Sequence, residues 1–165
     1  PQILYNVPGR TACDLLPETV AELSQISNIV GLKEATGDLS RVRLLRDCCG
    51  ESFALLSGDD ETARDFMLAG GDGVVSVTAN VAPRLMAQMC ARATAGDREG
   101  AGEVDKHLTE LHRTLFLEAN PIPVKWALCE LGLIKNGIRL PLTWLSDVHF
   151  ASVQAALEKA GLIQK

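Results

Sequence analysis

Short apolar runs alternate with amphipathic segments over residues 1–95. Four runs have the composition of buried strands and cover residues 3–6, 30–33, 53–57 and 73–77. Segments with apolar side chains at helical spacing follow them and cover residues 16–26, 39–48, 59–69 and 82–95. Continuous apolar runs are typical of strands that are covered on both faces. The pattern therefore predicts four β-α units and a parallel sheet with right-handed crossovers.

Residues 96–165 carry only helical patterns. The predicted helices cover residues 97–117, 121–131 and 148–160, and a loop around Asn136 and Gly137 precedes the last one. We therefore expect two domains, a β-α domain over residues 1–95 and an all-helical domain over residues 96–165.

Two α/β architectures accommodate four β-α units, an open doubly wound sheet and half of a (β/α)8 TIM barrel. A nucleotide-binding open sheet needs a glycine-rich turn after a strand, but Gly70 and Gly71 precede their strand. In a barrel, functional side chains lie at the carboxyl ends of the strands. Polar residues occur at each of these ends: Tyr5, Asn6, Lys33, Glu34, Ser57, Asp59, Thr78 and Asn80. This repeated placement favours the barrel.

Charge and composition exclude some classes of partner. The 165 residues are 47% hydrophobic and 22% charged, with a formal net charge of -5, which is typical of a globular protein. Nucleic acid is not expected as a partner, because phosphate binding needs clustered basic residues. The densest basic group, Arg41, Arg43 and Arg46, is interpreted as a solvated helix face. With no apolar run near 18 residues and no signal-peptide pattern, we expect no membrane span and a cytoplasmic location.

The cysteines and histidines give no sign of a metal centre. The five cysteines, an odd number, include no CxxC and no Cys/His metal spacing. They are interpreted as small buried hydrophobic residues in a reducing compartment. His107 and His112 stand at a spacing that is poor for a shared metal. We expect neither a metal nor a cofactor.

Lys33 is the most unusual residue, because it ends an apolar run that a sheet would cover on both faces. A charged lysine is costly to bury, and desolvation favours the neutral amine, which can attack a carbonyl carbon. The alternative is a strand-end lysine that reaches solvent or pairs with Glu34.

Tyr5 and Arg10 could assist such an amine. Tyr5, the only tyrosine, also ends a strand, and a phenol beside an amine can move protons during imine formation. Arg10 follows in a loop, where a guanidinium can hold a substrate carboxylate with two hydrogen bonds. The alternatives are a core or rim tyrosine and a solvated loop arginine.

Five segments resemble motifs of the dihydrodipicolinate synthase family. They are YNVPGRT at 5–11, GLKEATGD at 31–38, LSGDD at 56–60, GVVSVTAN at 73–80 and NPIPVK at 120–125. They occur in the family's order and at family-like spacing over nearly the whole chain. Each motif alone is weak, whereas five in register are specific.

The resemblance implies the second half of a (β/α)8 barrel, strands 5–8 with their helices, followed by a C-terminal helical domain. The family is usually tetrameric and condenses pyruvate with aspartate semialdehyde on the route to diaminopimelate and lysine. By this resemblance Lys33 forms the imine with pyruvate and Tyr5 relays protons. Arg10 holds the carboxylate of the semialdehyde, while Gly58 and Val75 line the pyruvate pocket, largely through their backbone.

Two other functions remain open on the sequence. Sibling lyases such as N-acetylneuraminate lyase and keto-deoxy-sugar aldolases share the barrel and the lysine, although they typically lack the arginine of YNVPGRT. A non-catalytic interaction module on the same scaffold is the other alternative.

The coverage of the family pattern is incomplete. A barrel needs eight strands, and the four predicted here leave the N-terminal half of the family's site unaccounted for. The chain also starts at Pro1, directly before a strand, as a cleavage product or one half of a split protein would. We therefore expect the isolated chain to be inactive, with a missing N-terminal half as its partner.

Overall fold

A four-stranded parallel sheet forms the centre of the first part of the chain. The computed structural model describes residues 1–163. The strands lie in the order β1 (Gln2–Asn6), β2 (Ile29–Glu34), β3 (Ala54–Ser57) and β4 (Gly73–Val74). Each neighbouring pair is parallel, so the predicted strands and their direction are confirmed.

Helices follow the strands, and helices and loops make up the rest of residues 1–163. Those in residues 1–163 are α1 (Pro8–Thr11), α2 (Pro17–Ser24), α3 (Ser40–Cys49), α4 (Ala63–Leu68), α5 (Pro83–Thr94), α6 (Arg98–Asp105), α7 (Thr109–Thr114), α8 (Ile122–Glu130) and α9 (Phe150–Lys159). Short 3-10 helices cover Thr78–Asn80 and Asp147–His149.

Three predicted elements differ from those observed. The fourth strand ends at Val74, although the amide of Val75 still donates to the carbonyl of Ser57 at 2.8 Å. The third helix begins at Ala63 instead of residue 59, because the carboxylate of Asp59 accepts hydrogen bonds from the amide and hydroxyl of Thr62 and holds a non-helical turn.

The predicted long helix over residues 97–117 is two helices. The amides of His107 and Leu108 each donate to the carbonyl three residues earlier, at 3.1 and 2.8 Å. Such bonds tighten the helix at this point and separate α6 from α7.

The described chain divides into two compact units. The first comprises residues 1–76 and 90–101, and the second residues 77–89 and 102 onward. In the first unit one face of the sheet packs on α2, α3 and α4 around a core that consists of Val20, Leu32, Val42, Leu45, Phe53, Leu55 and Phe66. Burial of these side chains is the main favourable term in the folding of this unit.

The second unit is helical. Its fully buried side chains include Leu108, Leu111 and Leu115 with Val153 and Leu157, which lie in the region where α7 contacts α9. None of the helices in residues 1–163 has both the length and the apolar character needed to cross a membrane.

Two interpretations of the sequence were wrong. The basic group on α3 is not a solvated face: Arg41 is buried, the side chain of Arg46 is 12% exposed, and only Arg43 is well solvated. The cysteines are not uniformly buried either, since Cys13 and Cys48 are exposed. A spacing pattern shows which residues share a helix face but not which polar groups of other segments lie opposite them.

Candidate active site

Tyr5 and Lys33 occupy paired positions on adjacent parallel strands. The register places Tyr5 beside Lys33 and Lys33 beside Leu56. Side chains at paired positions of a parallel sheet point to the same face, and this face is opposite the one that packs on α2, α3 and α4. Two residues of this face, Tyr5 and Val75, are each 48% exposed.

The amine of Lys33 lies against the aromatic ring of Tyr5. The Nζ atom is 4.0 Å from the ring centroid, a distance at which a lysine and an aromatic face attract each other. Lys33 is half-buried, less than the sequence predicts for a strand covered on both faces. The difference arises because helices cover one face of the sheet, while the face that carries Lys33 remains partly exposed among the described residues.

Gly58 leaves the space in which the Lys33 side chain lies. A Cβ atom at residue 58 would be 2.8 Å from Cε and 3.1 Å from Cγ of Lys33, and 2.7 Å from Cβ of Ala35. Real Cβ atoms do not approach other atoms this closely, so a larger residue would displace the lysine or the backbone. The absence of a side chain at residue 58 therefore leaves room for the side chain of the candidate nucleophile.

The backbone amides of Gly58 and Val75 are hydrogen-bonded to strand residues. The amide of Gly58 donates to the carbonyl of Glu34 at 2.7 Å, and that of Val75 to the carbonyl of Ser57 at 2.8 Å. Each residue can therefore offer a substrate its carbonyl oxygen, which accepts hydrogen bonds. Such acceptors suit a protonated imine or a hydroxyl group.

Arg10 lies in the short helix α1, directly after β1, and is exposed. Within residues 1–163, no hydrogen bond, ion pair or ring contact joins it to Lys33 or Tyr5. A guanidinium exposed to solvent at the carboxyl end of the sheet is placed to meet a second molecule with a carboxylate group.

The sequence did not predict a buried polar network that lies next to the strand ends. The carboxylate of Glu34 does not pair with Lys33; it accepts hydrogen bonds from Nε of Arg41 at 3.1 Å and from Nδ2 of Asn6 at 3.1 Å. Asn6 and Glu34 are 2% exposed and Arg41 is 8% exposed. Alternation along β2 sends Lys33 and Glu34 to opposite faces, which is the signal that could have separated their roles.

Asp14 extends this network to the loop after β1. Its oxygens accept hydrogen bonds from Nδ2 of Asn6 at 2.9 Å and from a terminal nitrogen of Arg41 at 3.0 Å. The hydrogen bond from Asn6, together with the hydrogen bond and charge of Arg41, holds the pKa of Asp14 below its ordinary value, although desolvation opposes the shift.

Metal binding finds no support in the described residues. Within residues 1–163 there is no cluster of three or more His, Cys, Asp and Glu side chains that could hold an ion. The site itself offers an amine beside a phenol, with an arginine in the adjoining loop.

Comparison with known sequences matches the chain to one family. The profile of the dihydrodipicolinate synthetase family matches residues 1–160. The 4-hydroxy-tetrahydrodipicolinate synthase of Methylococcus capsulatus is 60% identical over 163 residues, which is 99% of this chain and 56% of the relative. The chain thus spans about half the length of the curated relatives it matches.

Solved structures agree with this match. The dihydrodipicolinate synthase of Acinetobacter baumannii, solved in a chloride-inhibited form with pyruvate, is 52% identical and superposes with a TM-score of 0.96. The alignment covers 99% of this chain and 56% of that one. A synthase variant described as monomeric is 40% identical, with a TM-score of 0.91 over 98% of this chain and 55% of its own.

Proposed function

The chain belongs to the dihydrodipicolinate synthetase family, and from this premise we propose that it supplies the imine-forming half of a lyase. The reaction is the condensation of pyruvate with aspartate semialdehyde to give 4-hydroxy-tetrahydrodipicolinate. The observation that carries the proposal is the placement of the Lys33 amine 4.0 Å from the ring centroid of Tyr5, at paired strand ends.

Lys33 is proposed as the nucleophile. Its amine adds to the keto carbon of pyruvate, and the former carbonyl oxygen leaves as water when the imine forms. One proton moves from the amine nitrogen to that oxygen, and a second must reach it before water departs. A phenol can both donate and accept a proton, which makes Tyr5 the proposed relay.

Arg10 is proposed to bind the carboxylate of the second substrate. Arginine binds a carboxylate in a planar, two-hydrogen-bond arrangement, and the exposed position of Arg10 leaves its guanidinium accessible. Gly58 and Val75 are proposed to complete the pyruvate pocket through space and carbonyl oxygens. Pyruvate bound to the Acinetobacter relative supports this keto acid as the first substrate.

The sheet is proposed to be the second half of a (β/α)8 barrel. Residues 1–95 would contribute strands 5–8 with their helices, and residues 96–165 a C-terminal helical domain. The half-length coverage of the relatives supports this division, as does the position of β1 and β4 at the edges of the described sheet. Closing a barrel requires partner strands at both edges.

The active form is accordingly proposed to be the complete protein with all eight strands. The 165-residue chain alone should show no appreciable turnover, and a companion segment carrying the other four strands should restore it. We further propose a cytoplasmic homo-oligomer, with a tetramer as the state implied by the family resemblance. Sedimentation of the complete protein distinguishes this tetramer from the monomeric state described for one relative.

Borohydride reduction in the presence of pyruvate tests the proposal. The complete protein should gain one reduced pyruvate adduct, and peptide mapping should place it on Lys33. The Lys33→Arg variant should gain none, because a guanidinium is not a nucleophilic amine at neutral pH.

Product formation from aspartate semialdehyde is the second measurement. Trapping without this product would identify a sibling lyase, and absence of trapping in the complete wild-type protein would indicate a non-catalytic module. Either result would overturn the proposed reaction.

A further inference from the structure

The loop that carries Arg10 is stabilised by hydrogen bonds within itself. The amides of Arg10 and Thr11 donate to the carbonyl of Val7, at 2.9 and 3.2 Å, and the amide of Ala12 donates to the carbonyl of Pro8 at 2.9 Å. Ala12 has a φ of 53°, an uncommon conformation for a residue with a Cβ atom. These bonds fix the shape of the loop but not its position relative to the strands, which requires contacts with other segments.

Four side chains supply these contacts, and we name Asn6, Asp14, Glu34 and Arg41 the loop clamp. At the far end of the loop, the Oδ1 atom of Asn6 accepts a hydrogen bond from the amide of Leu15 at 2.9 Å. A terminal nitrogen of Arg41 donates to the carbonyl of Leu15 at 2.6 Å. The clamp therefore joins Leu15, where the loop ends, to Asn6, where β1 ends.

The same clamp is connected to the strand that carries Lys33. Glu34 follows Lys33 directly, and its Oε1 atom also accepts a hydrogen bond from the amide of Thr36 at 2.8 Å. One carboxylate thus fixes the end of β2 and, through Arg41, the end of the Arg10 loop. The relative position of Lys33 and the loop depends on this shared group.

From this geometry we propose that Asp14 and Arg41 are positioning residues that hold the Arg10 loop relative to Lys33. They thereby set the affinity for the carboxylate of the second substrate. The inference rests on the proposed function, because it assigns the clamp to the Arg10 site of that reaction. Neither positioning residue is proposed to touch substrate.

Asp14 is the member of the clamp best suited to a test. Glu34 and Arg41 form a buried ion pair at 3.1 Å, and removal of either partner would leave an uncompensated charge that threatens folding. The side chain of Asp14 is 39% exposed, so Asp14→Ala loosens the loop end and leaves the buried pair in place.

The test measures steady-state kinetics and pyruvate trapping in the complete protein. Asp14→Ala is expected to raise KM for aspartate semialdehyde about tenfold, since small displacements of a substrate-binding group carry penalties of this order. The kcat, the KM for pyruvate and the rate of borohydride trapping at Lys33 should stay within about twofold, because only binding of the second substrate is altered. A loss of folded protein would instead lower the apparent kcat and the extent of trapping together and leave both KM values unchanged.

A double-mutant cycle with Arg10→Ala makes the inference specific. If Asp14 acts through Arg10, the double variant should bind the semialdehyde no more weakly than Arg10→Ala alone. Asp47→Ala is the matched control, because Asp47 forms an exposed i,i+4 pair with Arg43 on α3 at 3.8 Å. It should keep wild-type kinetics.

Three outcomes would overturn the inference while leaving the proposed function intact. They are an unchanged semialdehyde KM in Asp14→Ala, an equal fall in pyruvate trapping, and additive losses with Arg10→Ala. Failure of the complete wild-type protein to trap pyruvate or to form product would overturn the proposed function, and the inference with it.

Discussion

The Nζ atom of Lys33 lies 4.0 Å from the centroid of the Tyr5 ring, and the two residues are direct neighbours in the register of β1 and β2. The contact uses the face of the ring, so it does not require the phenol hydroxyl. The contact of Lys33 with the ring and the proposed proton transfer by the hydroxyl can therefore be tested separately.

The Tyr5→Phe variant separates the contact from the proton transfer. The ring should still orient Lys33, so borohydride trapping with pyruvate should go to completion, but more slowly, because the proposed relay for imine formation is lost. The kcat of the complete enzyme should fall by about 10²- to 10⁴-fold, the usual contribution of a positioned acid-base group. Rapid mixing measures the trapping, and steady-state assays measure kcat. A wild-type kcat in Tyr5→Phe would exclude the hydroxyl as the relay.

The Gly58→Ala variant tests the space around the lysine. Its Cβ atom would lie 2.8 Å from Cε of Lys33, so the side chain must leave its place over Tyr5. Trapping at Lys33 should slow by about 10- to 100-fold, as expected for a misplaced reacting group. The overpacked site should also lower the free energy of unfolding by about 1–3 kcal/mol.

Gly102→Ala is the control for this substitution. A Cβ atom at residue 102, in α6, would meet nothing within 4 Å. It should leave trapping unchanged, and if both alanine variants trap pyruvate at the wild-type rate, steric clearance at residue 58 has no role.

Cys49 should make stability fall at alkaline pH. Burial, followed by the hydrogen bond and charge of Cys48, raises the pKa of the Cys49 thiol from 9.0 to about 11. Between these values the folded state keeps a proton that the unfolded state has lost, so stability decreases as the pH rises through this interval. Below pH 9.0 both states are protonated and the contribution is fully present.

Urea unfolding of wild-type protein and Cys49→Val across this interval measures the contribution. The valine variant should lose less stability than the wild type as the pH approaches 11. Cys13→Val, which removes an exposed thiol, is the matched control. Parallel pH curves for the wild type and Cys49→Val would contradict the prediction.

His112 should contribute to the stability of the helical unit. It is 4% exposed, its Nδ1 atom lies 2.9 Å from the hydroxyl of Thr78, and its Nε2 atom lies 3.4 Å from Oδ1 of Asp105. The His112→Phe variant loses these polar contacts and should be less stable by about 1–3 kcal/mol. Chemical denaturation measures the difference, with the exposed His107→Phe as control. Equal midpoints for the two variants would show that the contacts are not stabilising.

The sequence was sufficient to predict the order and type of most elements. Short apolar runs alternate with amphipathic segments along residues 1–95, and this order is visible without any tertiary information. The residues at which elements begin and end were harder to predict, because side chains such as Asp59 hold local turns that a periodic pattern does not reveal. The break between α6 and α7 was missed because apolar spacing continues through it.

The candidate site, too, could be predicted from the sequence only in part. The amino-acid types and motifs around Tyr5, Arg10 and Lys33 were enough to propose an imine-forming centre. Only the register of β1, β2 and β3 decided that Lys33 lies on the Tyr5 ring and in the space left by Gly58. Contacts between strands depend on pairing over long sequence separations, which no local pattern specifies.

Arg41 shows most clearly what could not be predicted from the sequence. On the sequence it belonged to a basic helix face, whereas in the structure it is buried between Glu34 and Asp14. The cost of burying its charge is offset only by carboxylates that other segments bring to it. Apolar periodicity therefore determined the secondary structure, while tertiary packing decided which charges meet, because ion pairing depends on distances in space and not on positions along the chain.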